Sequence, residues 1–183
     1  MVSRCFILLG FLCMAPLITS AQRLSGITTR WSDAYSEWMI FAEEEEDPGE
    51  LRQRWAGLND WTEWEYRIGE STGQIRLKWK QDLNEWEIRG ENQIITARTL
   101  WNNNFREWRI TDNTRQFTLS SRYNNVVGEW EIRDSNAGTF SMYTAYDGDP
   151  RDWVIVDELD PSVSLPTKMA MVFMVIFHSI PKD

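Results

Sequence analysis

The chain has one histidine, His178, and it lies in an apolar run near the C-terminus. A Ser-His-Asp site would have to be built on it inside a core, where a lone histidine more often packs than moves protons. Carboxylates number 28, but most alternate with arginine. Glycosidase chemistry needs two of them in one cleft, and no spacing marks such a pair. No Gly-rich phosphate loop and no His-metal spacing occurs. Three features remain. Glu43, Glu44, Glu45, Glu46 and Asp47, followed by Pro48-Gly49, offer oxygen ligands for calcium, without the Asp/Asn-Gly alternation of a calcium loop; most such runs are solvated hairpin loops. Asp147-Gly148-Asp149-Pro150 reads as a turn. The tryptophans could stack a sugar or another flat ligand, but their regular placement on an inner face assigns them to the core first. Trp61 stands outside that register and is the one expected to be exposed. The reading is therefore a chain with no catalytic site, no cofactor and no metal centre, whose exposed binding candidates are Trp61 and the acidic run 43–47.

The first residues, MVSRCFILLGFLCMAPLITSAQ, carry a positive charge at Arg4, an apolar stretch from Phe6 to Ile18 and small residues at 19–21. That is the pattern of a secretory signal peptide, with cleavage expected near Ala21/Gln22 and export to the periplasm or the cell exterior. Both cysteines, Cys5 and Cys13, lie inside it. The mature chain, 22–183, is then one domain of 162 residues without a cysteine, and its stability must come from a core rather than from disulfides. It keeps 18 basic and 28 acidic residues, a formal charge of −10. Nucleic acid is excluded as a partner by that charge. No basic patch supports contact with lipid, and the partner stays unknown.

These residues must be positioned by a repeat. Trp38, Trp64, Trp86, Trp108, Trp130 and Trp153 are spaced by 26, 22, 22, 22 and 23 residues. Five of them follow another aromatic by seven residues, as in Trp31/Trp38, Trp79/Trp86, Trp101/Trp108, Tyr123/Trp130 and Tyr146/Trp153. Within a unit such as QIRLKWKQDLNEWEIRGE, apolar residues alternate with charged ones on both sides of a polar turn, which predicts a β-hairpin. A symmetric turn sets Trp79 opposite Trp86, Leu77 opposite Ile88 and Lys78 opposite Glu87, and likewise Tyr123 opposite Trp130 and Arg122 opposite Glu131. One face is then apolar and the other a ladder of opposite charges.

Six hairpins predict twelve antiparallel strands, near 26–31, 37–43, 51–55, 63–69, 74–80, 85–90, 93–101, 107–112, 116–123, 129–134, 139–146 and 151–158. Short connections make this an up-and-down meander. Closing it into a barrel removes two open edges and an exposed aromatic face. Twelve strands enclose more space than their own side chains fill. The segment from about 167 to 180 is apolar nearly all round, begins at Pro166-Thr167 and stops at Pro181. The thirteen residues from Lys168 to Ile180 give a helix of about 20 Å, short of a bilayer's ~30 Å core. It is expected to fill the barrel, with Phe173 and Ile176 joining the six tryptophans as core.

The W-x-I-x-D strand endings at 108–112, 130–134 and 153–157, together with LPTKMAMVFMVIFHSI at 165–180, carry a resemblance. Twelve antiparallel strands followed by a hydrophobic helix threaded through the barrel is similar to the plan of the tubby-like superfamily. This superfamily holds the tubby C-terminal domain, the phospholipid scramblases and the LURP-one-related proteins. The resemblance implies a helix-filled barrel and, in tubby domains, phosphoinositide binding through basic side chains on the exterior. No lysine/arginine cluster here matches that site, so no functional residue carries over. The expectation is a secreted, non-enzymatic tubby-like barrel acting as a binding or structural module. The alternatives are a carrier of a small hydrophobic ligand or lipid in an aromatic-lined barrel, and an outer-membrane barrel.

Overall fold

Alternation of apolar and charged residues yields twelve strands. They are β1 (Leu24–Trp31), β2 (Ala34–Ala42), β3 (Gly49–Trp55), β4 (Asp60–Ile68), β5 (Ser71–Trp79), β6 (Asp82–Gly90), β7 (Gln93–Thr99), β8 (Glu107–Thr111), β9 (Gln116–Ser121), β10 (Glu129–Arg133), β11 (Gly138–Thr144) and β12 (Asp152–Leu159). A single helix, α1 (Leu165–Ser179), follows. The computed structural model describes residues 22–58, 60–133 and 136–181; the expected signal segment, 1–21, lies outside them. Each strand pairs antiparallel with its neighbours in sequence, and β1 pairs with β12. The fold is thus a closed, twelve-stranded, up-and-down barrel.

The hairpin register differs from that of a symmetric turn by two residues. Leu77 faces Trp86, Ile75 faces Ile88 and Arg76 faces Glu87; Ser121 faces Trp130 and Ser120 faces Glu131. A two-residue shift preserves which face each side chain takes, because the strand period is two. It does displace the first aromatic of each pair. Trp79 lies beyond a register break after Leu77 and pairs with Asp82 at the hairpin's end.

The inner face belongs to the second aromatic. Trp38, Trp64, Trp86, Trp108, Trp130 and Trp153 are all buried, and each indole N–H donates to a hairpin carbonyl three or four residues earlier. The acceptors are Tyr35, Trp61, Leu83, Phe105, Val126 and Pro150, at 2.8–3.1 Å. A tryptophan can be buried here because its one polar atom is satisfied locally.

The lumen is filled by α1. Fourteen of its fifteen residues are buried, on every side, as an all-round apolar helix in a core requires. Phe173 meets the edges of Trp64 and Trp86 at centroid distances of 5.5 and 5.0 Å, and Phe177 meets Trp86 at 4.6 Å. Pro166 sits in the first turn, where its missing N–H costs nothing. The Ile180 N–H closes the helix on the Ile176 carbonyl.

One charged residue enters with the helix. Lys168 is fully buried and its Nζ lies 2.8 Å from Oδ2 of Asp157. The same ammonium donates to the Gln22 carbonyl at 2.9 Å. Asp157 also accepts the N–H groups of Leu24 (3.1 Å) and Leu159 (3.2 Å). The β1–β12 ladder has only three residue pairs, Gly26/Val154, Ile27/Trp153 and Thr28/Asp152. The Asp157 carboxylate thus takes over at the seam where backbone pairing stops, and ties it to the first turn of α1.

Candidate functional site, an aromatic rim on one mouth of the barrel

In an up-and-down barrel, hairpins leading from odd to even strands gather at one mouth. All six first aromatics lie there: Trp31, Trp55, Trp79, Trp101, Tyr123 and Tyr146. Each is exposed, from 45% for Trp55 to 69% for Trp101, where a core position would be near zero. Sequence alternation points them inward. The hairpins point them outward because the residue three or four before each inner tryptophan already caps the lumen. Tyr35, Trp61, Leu83, Phe105 and Val126 pack on the core in this way.

Several rim aromatics are held by the charged outer wall. The Trp31 indole N–H donates to Glu37 (3.1 Å), that of Trp55 to Glu63 (3.1 Å) and that of Trp79 to Glu85 (3.2 Å). The preceding basic residue lies over the ring in three units: Arg54 at 5.2 Å from Trp55, Lys78 at 5.7 Å from Trp79 and Arg122 at 5.6 Å from Tyr123. That cation also pairs with the same hairpin's carboxylate: Arg54 with Glu63 (3.4 Å), Lys78 with Glu85 (2.7 Å) and Arg122 with Glu129 (2.6 Å). The Lys78 hydrogen bond holds the Glu85 carboxyl below its ordinary range; partial burial opposes this and the Trp79 indole adds to it. In each of these units a basic side chain rests against the aromatic ring. In the Trp55 and Trp79 units the carboxylate also fixes the indole edge.

Neighbouring hairpins are laced together. Asn84 Nδ2 donates to Asn103 Oδ1 (3.2 Å), and Arg106 Nη1 to Asn124 Oδ1 (3.0 Å). Arg151 forks onto Asp149 at 2.6–2.9 Å and reaches the Ser32 carbonyl across the seam. Among the described residues, three of the six junctions between neighbouring hairpins are tied in this way. The aromatics stand two strands apart, or roughly 10 Å at ordinary strand spacing.

The two expected binding features fare differently. Trp61 is half-buried, not exposed: its ring packs 5.8 Å from that of Trp64 and its carbonyl takes the Trp64 N–H. The longer loop carrying it folds over the lumen and makes it one of the caps. The acidic run lies at the opposite mouth. Glu43, Glu44, Glu46 and Asp47 are exposed and Glu45 is partly covered. Glu44 accepts the Arg23 N–H (2.9 Å) and Glu45 the Gln22 amide. Among the described residues no group of three or more carboxylate, histidine or cysteine side chains is arranged to hold a metal ion. His178 is stacked on Phe105, with ring centroids 4.5 Å apart.

A shallow depression of about 520 Å³ opens beside Trp79, lined by Asp82, Asn84, Arg98, Asn102 and Arg109 among others. Asn84 organises it: its Nδ2 donates to Asp82 (2.6 Å), and its Oδ1 accepts from the Thr99 hydroxyl (2.9 Å) and the Asn103 N–H (2.7 Å). The Asn84 Nδ2 and its backbone N–H (3.0 Å) both donate to Asp82 and lower its pKa. Family models, curated proteins and solved structures yield no match to this chain.

Proposed function

We propose that this chain is an exported, non-enzymatic binding module built on a tubby-like barrel, and that it meets its target through the aromatic rim. The observation that carries this reading is the sorting of the aromatic pair in each hairpin: the six second-position tryptophans are buried in the core and the six first-position aromatics are exposed at one mouth. Burial drives folding, so a tryptophan left about half exposed adds far less to stability than one in the core. A ring of exposed aromatics around one opening is the composition of a contact surface. Rigid hairpins would present it at little entropic cost. The lumen occupied by α1 speaks against a carrier with an aromatic-lined cavity. The wall of ion pairs speaks against an outer-membrane barrel, whose lipid-facing band is apolar.

The test is a binding screen of the intact protein against immobilised polysaccharides and lipid vesicles. It is run beside a variant combining Trp31→Ala, Trp79→Ala and Trp101→Ala, with cooperative unfolding as the check on folding. Binding lost in the folded variant supports the reading. Equal binding by both proteins overturns it.

A further inference from the structure

The outer wall obeys a charge rule with one break. Where two charged residues face each other across the strand ladders of the described residues, the signs are opposite: Glu37/Arg52, Glu50/Arg67, Arg52/Glu65, Glu63/Arg76, Arg76/Glu87 and Glu85/Arg98. The exception is Arg98, which also faces Arg109. On its other side Arg109 faces Thr118, so no carboxylate stands directly across from it. Like charges directly opposite one another are destabilising. Both arginines line the depression beside Trp79. Arg98 is balanced in part by Glu85 across the ladder and by Asp82, although the hydrogen bonds of these carboxylates go to Lys78 and Trp79 and to Asn84. Arg109 is the arginine that no carboxylate faces.

We infer that this depression binds an acidic saccharide, with the sugar ring laid on the Trp79 indole and its single carboxylate received by Arg98 and Arg109. This deepens the rim-module reading and rests on it. Guanidinium groups are suited to a planar carboxylate, which each can meet through two N–H donors. Asn102 adds a neutral amide group, which suits hydroxyls. An aromatic face beside polar and charged groups suits a pyranose, whose C–H face is apolar and whose rim is polar. The ligand carries one carboxylate rather than many, because the protein's net charge of −9 repels an extended polyanion. A uronic acid residue in an otherwise neutral glycan fits these terms.

The experiment titrates methyl β-glucuronide, and methyl β-glucoside as the matched neutral probe, into the folded protein while following its indole N–H resonances. The Trp79 resonance is assigned by its absence in Trp79→Phe. The expected result is saturable movement of the Trp79 signal by the glucuronide, on the order of tenfold weaker with the glucoside. Arg98→Gln and Arg109→Gln should each weaken glucuronide binding by a similar factor. Arg109→Glu should abolish it while melting no lower than the parent, since it restores the opposite-charge rule. A role in stability alone would not produce that split. Glucuronide binding indifferent to both arginines overturns the assignment, as does equal binding of the two sugars. Response only to anionic phospholipid vesicles overturns it as well. Rim-dependent capture of a neutral polysaccharide with no glucuronide response sinks this inference but leaves the module reading standing, so the two fail separately.

Discussion

Lys168 Nζ and Asp157 Oδ2 lie 2.8 Å apart, and solvent reaches neither side chain. The pair joins three pieces of chain: the first turn of α1, the end of β12 and the start of β1. A buried ion pair adds little over a well-packed apolar pair, but losing one partner leaves the other charge stranded. Asp157→Ala is expected to destabilise by about 3–5 kcal/mol, and Lys168→Met by less, because Asp157 keeps two backbone N–H donors. Urea denaturation of both single variants and the double variant checks this. The double variant is expected to be more stable than the sum of the single losses.

Truncation after Asp160 removes α1 and with it the partners of Trp64, Trp86 and Trp108. A twelve-stranded barrel cannot collapse far enough to refill that space. The truncated chain is expected to lose its cooperative melting transition, followed by near-ultraviolet circular dichroism. A sharp transition in the truncated chain would show that the strands stand without their filling.

Inner and outer aromatics should separate by energy. Trp108→Ala opens a cavity beside Phe105 and α1 and is expected to cost about 3–5 kcal/mol. Trp101→Ala, at an exposed position, is expected to stay within roughly 0.5 kcal/mol. Chemical denaturation of the two variants is the measurement.

Tyr66 is buried with no hydrogen-bond partner for its hydroxyl, and burial, aided by Glu91, pushes its phenol pKa up. Its ring is admitted by Gly73 and Gly90, where an added Cβ would lie 2.2 and 2.5 Å from Tyr66 atoms. Because the folded pKa is raised, the phenolate forms more readily in the unfolded chain, and stability falls as pH climbs above the unfolded value of ~10. Tyr66→Phe is expected to be neutral or stabilising at pH 7 and to flatten that alkaline decline. Gly73→Ala should cost about 1–3 kcal/mol through overpacking. Thermal melts between neutral and alkaline pH test both.

Acid should act on the rim in the opposite direction. Lys78 holds the Glu85 carboxyl below its ordinary range, against partial burial and with help from Trp79. A lowered folded pKa contributes stability above the unfolded value of about 4.3, and that contribution is lost as pH falls through the folded pKa. Glu85→Gln is expected to lessen the loss of melting temperature on acidification below pH 5.

The barrel could be read from the chain because its cause is local. Alternation sets the strands, a 22-residue beat sets the hairpins, and an all-round apolar segment needs an interior. The rim could not be read in the same way. By alternation Trp79 belongs inside; only the register break after Leu77 and the capping of the lumen by Leu83 turn it outward. Trp61, which its place off the register puts outside, is turned inward for the converse reason: an irregular loop can fold back over a core. Lys168 and Asp157 sit in unrelated patterns, one in the helix and one closing a W-x-I-x-D strand. The Arg98/Arg109 contact exists only once the β7–β8 register is known.

The filling of the lumen by α1 also orders events in time. Every strand precedes α1 along the chain, so a polypeptide emerging from its N-terminal end has its whole aromatic interior made before anything can occupy it. The seam that closes the barrel waits on Lys168 as well. Hairpins can zip locally and early, but the long-range closure of β1 on β12 is the slow, entropically demanding step. Until α1 arrives, six tryptophans remain open to misassociation. The hazard for such a chain is the interval just before its helix is released.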